Sequence, residues 1–324
     1  MSRHWIGIDW GTTHRRAWWF TDGLLQRQLA DDQGLLAAAP HFAPSLAALR
    51  ARLGAPLEAT VVMAGMVGSA SGWQAVPYLD AGRPLADWAQ QLVPVAGQAQ
   101  CFIVPGCCWR EAGAEAAVDV MRGEETQLLG AWQLAPQDGW ALLPGTHSKW
   151  VLLQGGAVQR LHTYLSGELH ALLSAGGTLA PLLAAQAGSD PLDRPEAFAQ
   201  GVRAAGRAAL SRALFGLRAQ VVTGALAPEA AGAYLSGLLL GAEWHEALAR
   251  GLAAQQPVRL IGSPALCRLH ARCAELLGRQ SLTLDIEAVQ TAAWRALGAG
   301  AAGEPGAGPA VAPGGTQATA LPRP

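Results

Sequence analysis

The sequence predicts an α/β protein made of two related lobes, and three observations carry that expectation. A strand, Gly-Thr turn, strand, Gly turn, strand segment occurs twice, and strands alternate with helices along the rest of the chain. The 324 residues are 51% hydrophobic and only 15% charged, enough to bury the cores of two domains of ordinary size. The first copy covers 8–20 through Asp9-Trp10-Gly11-Thr12-Thr13, turns at Thr21-Asp22-Gly23 and continues over 24–27. The second covers 143–153 through Pro144-Gly145-Thr146-His147-Ser148-Lys149, turns at Gln154-Gly155-Gly156 and continues over 158–160. It is one residue shorter between loop and turn. Two such hairpins, one opening each half, imply a duplicated domain with a cleft between the halves.

The remaining elements follow in order. The pattern predicts a helix over 42–53, a strand at 60–64, a long loop, a strand at 101–105 and a helix over 123–134. The second half repeats three strands at 141–143, 149–153 and 158–163. Helices are expected over 167–175, 195–215 and 228–253, then a strand at 258–261 and a helix over 264–277. A strand at 282–286 and a helix over 287–297 close the body. Residues 299–324 are mostly Gly, Ala and Pro with hardly any charge and no aromatic residue, the composition of a disordered tail.

The two loops carry chemistry. Gly11 and Gly145 let backbone turn sharply and approach a ligand. Thr12, Thr13, Thr146 and Ser148 add hydroxyls, and the N–H groups of such turns converge into anion-binding nests. Asp9 ends a strand facing the first turn, where a carboxylate would hold Mg²⁺ through water. Lys149 is a mobile cation suited to phosphate. Either loop alone could be an ordinary hairpin turn. Duplication, with an acid in one copy and a base in the other, favours function.

Composition excludes several classes. The formal net charge is −1, without a basic face, which argues against nucleic acid and against an anionic membrane surface. A strand begins almost at once, leaving no room for a signal peptide, and no run of about 18 apolar residues suggests a span. Five cysteines, with no CxxC, fit reduced thiols in a cytoplasmic protein. Cys267, His270 and Cys273 could share a helix face, but no fourth ligand lies near for zinc.

A phosphate hairpin repeated in two α/β halves resembles the actin, sugar-kinase and heat-shock ATPase superfamily. That resemblance implies duplicated ribonuclease-H-like lobes with ATP and Mg²⁺ held in a central cleft. The lobes would be 1–138 and 139–298, with 287–297 packing back on the first lobe and 299–324 as the tail. Finer motifs are Asp9-Trp10-Gly11-Thr12-Thr13 with Arg16-Ala17-Trp18, Met63-Ala64-Gly65-Met66-Val67-Gly68-Ser69 with Gly72-Trp73, and Pro77-Tyr78-Leu79. Met121-Arg122-Gly123-Glu124-Glu125-Thr126-Gln127 and Pro144-Gly145-Thr146-His147-Ser148-Lys149-Trp150 are the most specific. Ser166-Gly167-Glu168-Leu169-His170 and Leu235-Ser236-Gly237-Leu238-Leu239-Leu240-Gly241-Ala242-Glu243 complete the set. Together they look like the 2-dehydro-3-deoxygalactonokinase family. His14 stands where Asn is usual, and Arg15 where an apolar residue is usual.

The resemblance implies ATP-dependent phosphorylation of 2-dehydro-3-deoxy-D-galactonate at its terminal 6-hydroxyl, in D-galactonate catabolism. The partners would then be ATP and a small sugar acid, and a homo-oligomer is left open. Another sugar acid or a hexose is the alternative substrate. A non-catalytic nucleotide-binding regulator is disfavoured, because only five residues precede the first hairpin.

Phosphoryl transfer needs positioning, charge neutralisation and a base near the attacking hydroxyl. Related sugar kinases place an acidic base at a helix start like that of Glu124 and Glu125. Glu124 is favoured and Glu125 second, while either could simply partner the helix dipole. Arg16 belongs with the first phosphate loop, and His147 with the second. Arg122 and Arg16 are guanidiniums suited to a substrate carboxylate, or to an inter-lobe ion pair. Ser166-Gly167-Glu168-Leu169-His170 loosely resembles a sugar-binding stretch of hexose kinases, making Glu168 and His170 substrate candidates, with a capped helix as the plainer reading. Trp73 and Tyr78 could wall the sugar pocket or belong to the core. Gly262-Ser263-Pro264 resembles the superfamily's adenosine loop, or is an ordinary strand-to-helix turn.

Overall fold

The computed structural model describes residues 2–111, 113, 117–184, 188–251 and 256–301. Two sheets share one strand plan. The first half opens with β1 (His4–Trp10), β2 (Arg15–Thr21) and β3 (Leu24–Asp31), an antiparallel meander, followed by short α1 (Leu35–Ala38) and α2 (Phe42–Leu53). Next come β4 (Thr60–Gly65), β5 (Tyr78–Asp80), β6 (Val93–Pro94), β7 (Cys101–Ile103), β8 (Gly106–Arg110), β9 (Val118–Met121) and α3 (Glu124–Leu134).

The second half repeats the meander as β10 (Gly139–Leu143), β11 (Ser148–Gln154) and β12 (Ala157–Tyr164). It continues through α4 (Ser166–Ala175), α5 (Ala180–Leu183), α6 (Pro195–Ala205), α7 (Leu210–Val222) and α8 (Ala231–Ala249). It ends with β13 (Val258–Leu260), α9 (Pro264–Leu276), β14 (Ser281–Thr283) and α10 (Ile286–Ala301). The strand orders are β3-β2-β1-β4-β7-β6 and β12-β11-β10-β13-β14. In both sheets the meander's first strand pairs in parallel with the next strand of its half, β1 with β4 and β10 with β13. This is the duplicated plan that the paired hairpins predict.

Burial follows from the sequence pattern. Ile6, Ile8, Val61 and Met63 meet Leu46, Leu49 and Leu53 of α2 on one face of the first sheet. Leu142, Trp150 and Leu260 meet α8 and α9 on one face of the second. The other faces share a cluster in which Val62 and Ala64 join Leu143, Val151 and Ile261 through α3 and α10. From α10, Trp294 stacks on Trp18 at 5.8 Å and its carbonyl accepts from Trp5 Nε1 at 3.0 Å. The chain's last described helix therefore returns to its first strands.

Several expectations need correction. The helix expected over 195–215 is two, because the chain turns at 206–209, where Gly206 packs against the His245 ring. The helix expected over 228–253 begins as a 3₁₀ turn and runs as α8 to Ala249; residues 252 and 253 lie outside the described residues. The long loop holds β5 and β6, and β8 and β9 were not expected; β5, β8 and β9 form a third sheet. These strands have two to five residues and too little alternation to be read from pattern. Residues 299–301 continue α10 rather than beginning a tail, and the rest of that expected tail, 302–324, lies outside the described residues.

Among the described residues no helix is long and apolar enough to cross a membrane. All five cysteines are free and buried. Cys267, His270 and Cys273 do share α9, where His270 Nδ1 accepts from Trp244 Nε1 at 3.1 Å. Arg15 is buried because it supplies a core ion pair. It donates twice to Asp31, at 3.1 and 2.9 Å, and once to Ser45 Oγ, fastening α2 to the hairpin.

Candidate functional site

Each Gly-Thr loop is held from behind by the helix that follows its meander. In the first, the carbonyls of Gly11, Thr12 and Thr13 accept from the N–H groups of Leu35, Leu36 and Gly34 at 2.9, 3.1 and 3.2 Å. In the second, the Thr146 carbonyl accepts from Glu168 N–H at 3.0 Å. A glycine makes each contact possible: a Cβ on Gly34 would overlap the Thr13 carbonyl, and one on Gly167 the Gly145 carbonyl. With their carbonyls turned back into helices, Thr12, Thr13, Thr146 and His147 are left exposed. This is the geometry a pair of anion-binding loops requires.

Between the loops lies a charged cluster. Asp9, at the end of β1, accepts from its cross-strand neighbour Arg16 at 2.9 Å. Burial pushes the Asp9 carboxyl up, and the Arg16 guanidinium opposes the shift. Gly65 (φ 89°) passes beside Asp9 and also packs against Gly123 (φ 110°), which starts α3. The start of that helix therefore lies against the end of β4 that flanks Asp9. Burial raises the Glu124 carboxyl; the Lys149 charge draws it down and the Asp9 charge pushes it up.

The two adjacent acids differ. Glu124 Oε2 accepts from Arg122 N–H at 3.1 Å, and the residue is only partly buried. Both oxygens of Glu125 accept from Gly123 N–H, at 2.8 and 2.7 Å, and the side chain is fully buried. Burial, then the neighbouring Glu124 charge, pushes Glu125 up to about 8. Glu125 fastens the left-handed Gly123 turn, and Glu124 is the more accessible of the two acids.

Lys149 is not the mobile arm its chemistry suggested. It is buried, and its Nζ donates to the Val120 carbonyl at 2.9 Å and to Thr163 Oγ1 at 3.0 Å. Thr163 is its cross-strand partner, and Asp119 anchors that threonine in turn. The ammonium is therefore a fixed charge acting on Glu124.

Arg122 lies over the Tyr78 ring at 4.3 Å and donates to the Val76 carbonyl at 2.9 Å. Its Nε and Nη1 are buried with no hydrogen-bond partner among the described residues. Trp73 instead stacks on Phe42 at 5.9 Å and meets Trp10 edge-on, so it belongs mainly to the core. Arg16 makes an ion pair within its own hairpin rather than between halves.

The remaining candidates gather around the second loop. Glu168 pairs with His147 at 2.5 Å, and His170 Nε2 lies 3.3 Å from Ser236 Oγ. Because α4 abuts this loop, its acid is committed to His147, while its imidazole reaches Ser236 of α8 at the edge of a cavity. A cavity of about 900 Å³ opens beside the loop, lined by Gly145, Thr146, Gly167, His170, Ser236 and Leu266 among others. Its volume suits a nucleotide-sized ligand.

Gly262 and Ser263 do not line it. Gly262 faces Pro144, and Ser263 caps α9 by accepting from Leu266 N–H at 3.4 Å. The cavity wall is the helix they start. Ser236 and the acidic residues Asp190 and Glu229 also line it, and no pattern in the sequence marked them as a set.

A family model described as 2-keto-3-deoxy-galactonokinase matches residues 9–297. The 2-dehydro-3-deoxygalactonokinase of Escherichia coli (strain K12) is 32% identical over 279 residues, which are 86% of this chain and 91% of that protein. A protein of Rhizobium meliloti (strain 1021) named "Probable 2-dehydro-3-deoxygalactonokinase DgoK1" is 33% identical over 297 residues, 88% of this chain and 93% of its own length. The crystal structure of a candidate 2-dehydro-3-deoxygalactonokinase from Sinorhizobium meliloti superposes with a TM-score of 0.80 at 31% identity, covering 92% of this chain and 95% of that one. The chain belongs to the 2-keto-3-deoxy-galactonokinase family.

Proposed function

We propose that this protein transfers the γ-phosphoryl group of ATP to the terminal hydroxyl of 2-dehydro-3-deoxy-D-galactonate, as a cytoplasmic enzyme of D-galactonate breakdown. The observation that carries the reading is the charged cluster of Asp9, Glu124 and Lys149 between two exposed, helix-backed Gly-Thr loops. The lobes divide near residue 138, with the nucleotide between them. Gly11, Thr12, Thr13, Gly145 and Thr146 receive phosphate oxygens, and the cavity beside Gly145 receives the nucleoside; Ser148, expected there too, is buried and turned toward Glu243 instead.

Glu124, the more accessible of the two acids, takes the proton from the attacking hydroxyl. Lys149 favours the ionised form that can accept it. The unpartnered nitrogens of Arg122 suit the substrate carboxylate, with Tyr78 holding the guanidinium in plane.

Mg²⁺ fits the donor set. Among the described residues no three acidic, His or Cys side chains converge to hold an ion by themselves. Mg²⁺ needs less, one or two carboxylates with water and substrate phosphates. Asp9 would hold it, and Glu124 lies close enough to feel the Asp9 charge. When bound, the ion neutralises charge developing on the transferred phosphoryl group.

The test is a panel of sugar acids and hexoses with ATP consumption as readout and the product's ester position as check. 2-Dehydro-3-deoxygalactonate should show the highest kcat/KM and yield the terminal phosphate ester. A higher kcat/KM on another sugar acid overturns the substrate assignment.

A further inference from the structure

Behind the second loop lies a buried carboxylate that none of the chemistry above uses. Glu243 sits in the middle of α8 and is 1% exposed. Its Oε1 accepts from Trp150 Nε1 at 2.7 Å, its Oε2 from Ser166 Oγ at 2.6 Å, and Ser148 makes a third hydrogen bond. These donors come from three places that shape the loop. Ser148 ends the loop itself, and Trp150 is the next buried residue of β11 on the same face. Ser166 opens α4, whose Gly167 and Glu168 backbone press against Gly145 and Thr146. The edge-on contact of Trp150 with Trp244 at 4.8 Å braces the same strand against α8.

A buried carboxylate is costly unless its lone pairs are filled, and here the donors among the described residues are all neutral. A structural core would more cheaply hold an apolar residue at this position. What the acid adds is direction. Three donors must point to one place, which fixes α4 and β11 relative to each other across the loop.

We propose that Glu243 is a positioning residue for the phosphate-binding loop over 145–148, setting the loop's geometry for ATP through Ser148, Trp150 and Ser166. The proposal rests on the reading of that loop as the ATP site. It concerns ATP and not the sugar acid, because its three partners belong to the second hairpin and α4.

The test compares steady-state kinetics of the full-length protein with Glu243→Met, Glu243→Gln and Thr146→Ala. Glu243→Met keeps the volume but removes the acceptors; KM for ATP should rise at least about tenfold while KM for the sugar acid stays within twofold. Glu243→Gln can still accept from Trp150 and donate to Ser166; its KM for ATP should return to within about threefold of wild type. If Glu243→Met does not fold, Ser166→Ala takes its place and should raise KM for ATP in the same direction. The proposal is overturned if a folded Glu243→Met keeps a wild-type KM for ATP, if both substrates' KM values rise alike, or if Gln is as impaired as Met. An unchanged KM for ATP in Ser166→Ala, where that variant stands in, overturns it too. Thr146→Ala separates the two failures: wild-type ATP kinetics there sink the loop assignment, whereas weakened ATP binding there with an unaffected Glu243→Met sinks only the positioning role.

Discussion

Two neighbouring glutamates start one helix, yet the fold gives them different work. Glu125 is fully buried on the Gly123 turn, while Glu124 is only partly buried, beside Asp9 and Lys149. If Glu124 is the general base, Glu124→Gln should lower kcat and kcat/KM for the sugar acid together, by roughly 10²–10⁴-fold. Glu125→Gln should cost much less, since an amide oxygen still accepts from Gly123 N–H. Steady-state kinetics of both variants decide it; a larger kcat defect in Glu125→Gln would exchange the roles. Lys149 gives a second test. Its charge lowers the pKa of Glu124, so its removal should raise that pKa and keep the base protonated to higher pH. The acid limb of kcat/KM in Lys149→Met should therefore move upward in pH. An unmoved limb would show that the base does not feel this ammonium. Residue types alone pointed to both groups. They did not show that Lys149 is fastened by Thr163 and Val120, because cross-strand partners depend on register and not on composition.

At the scale of elements, the meanders, α2, α3 and α9 were legible because each has its own period and its own stop. The 42–53 helix, for example, ends at Gly54 in a left-handed cap. The small third sheet was not legible, since its strands have three to five residues and β5 reaches β8 across the intervening β6 and β7. The nucleoside cavity was equally hidden. Its wall comes from α4, α8 and α9, whose lining residues share a location only after folding. The helices backing the loops yield a further prediction. Gly34 and Gly167 lie where any Cβ meets loop backbone, so Gly34→Ala and Gly167→Ala should each displace a loop carbonyl. Both variants should bind ATP at least about tenfold more weakly in calorimetry while keeping a wild-type circular dichroism spectrum. Wild-type affinity in either would mean that the loop backbone yields at no cost to nucleotide.

For the molecule as a whole, three fully buried ionisable groups set how stability varies with pH. Glu125 is pushed up to about 8 and Glu243 to about 7, both mainly by burial, whereas unfolded glutamates titrate near pH ~4.3. An acid whose pKa is raised by folding favours the native state below its unfolded pKa. That contribution is lost as pH rises toward the folded value. His270 runs the other way: burial pushes it down to about 3, so its contribution is complete above pH ~6.5 and lost as pH falls. Between pH ~4.3 and ~6.5 the two trends oppose each other. Above about 6.5 only the acids still titrate, and stability must decline until both are ionised in the native state. Thermal unfolding should therefore give a falling Tm from pH 6.5 to about 8.5. Glu125→Gln removes one of the two acids while keeping an acceptor for Gly123 N–H, so its Tm should match wild type near pH 5 and exceed it at pH 8.5. A variant curve that stays parallel to wild type across this range would show that Glu125 does not titrate there, and with it the separation between the two adjacent acids would lose its electrostatic basis.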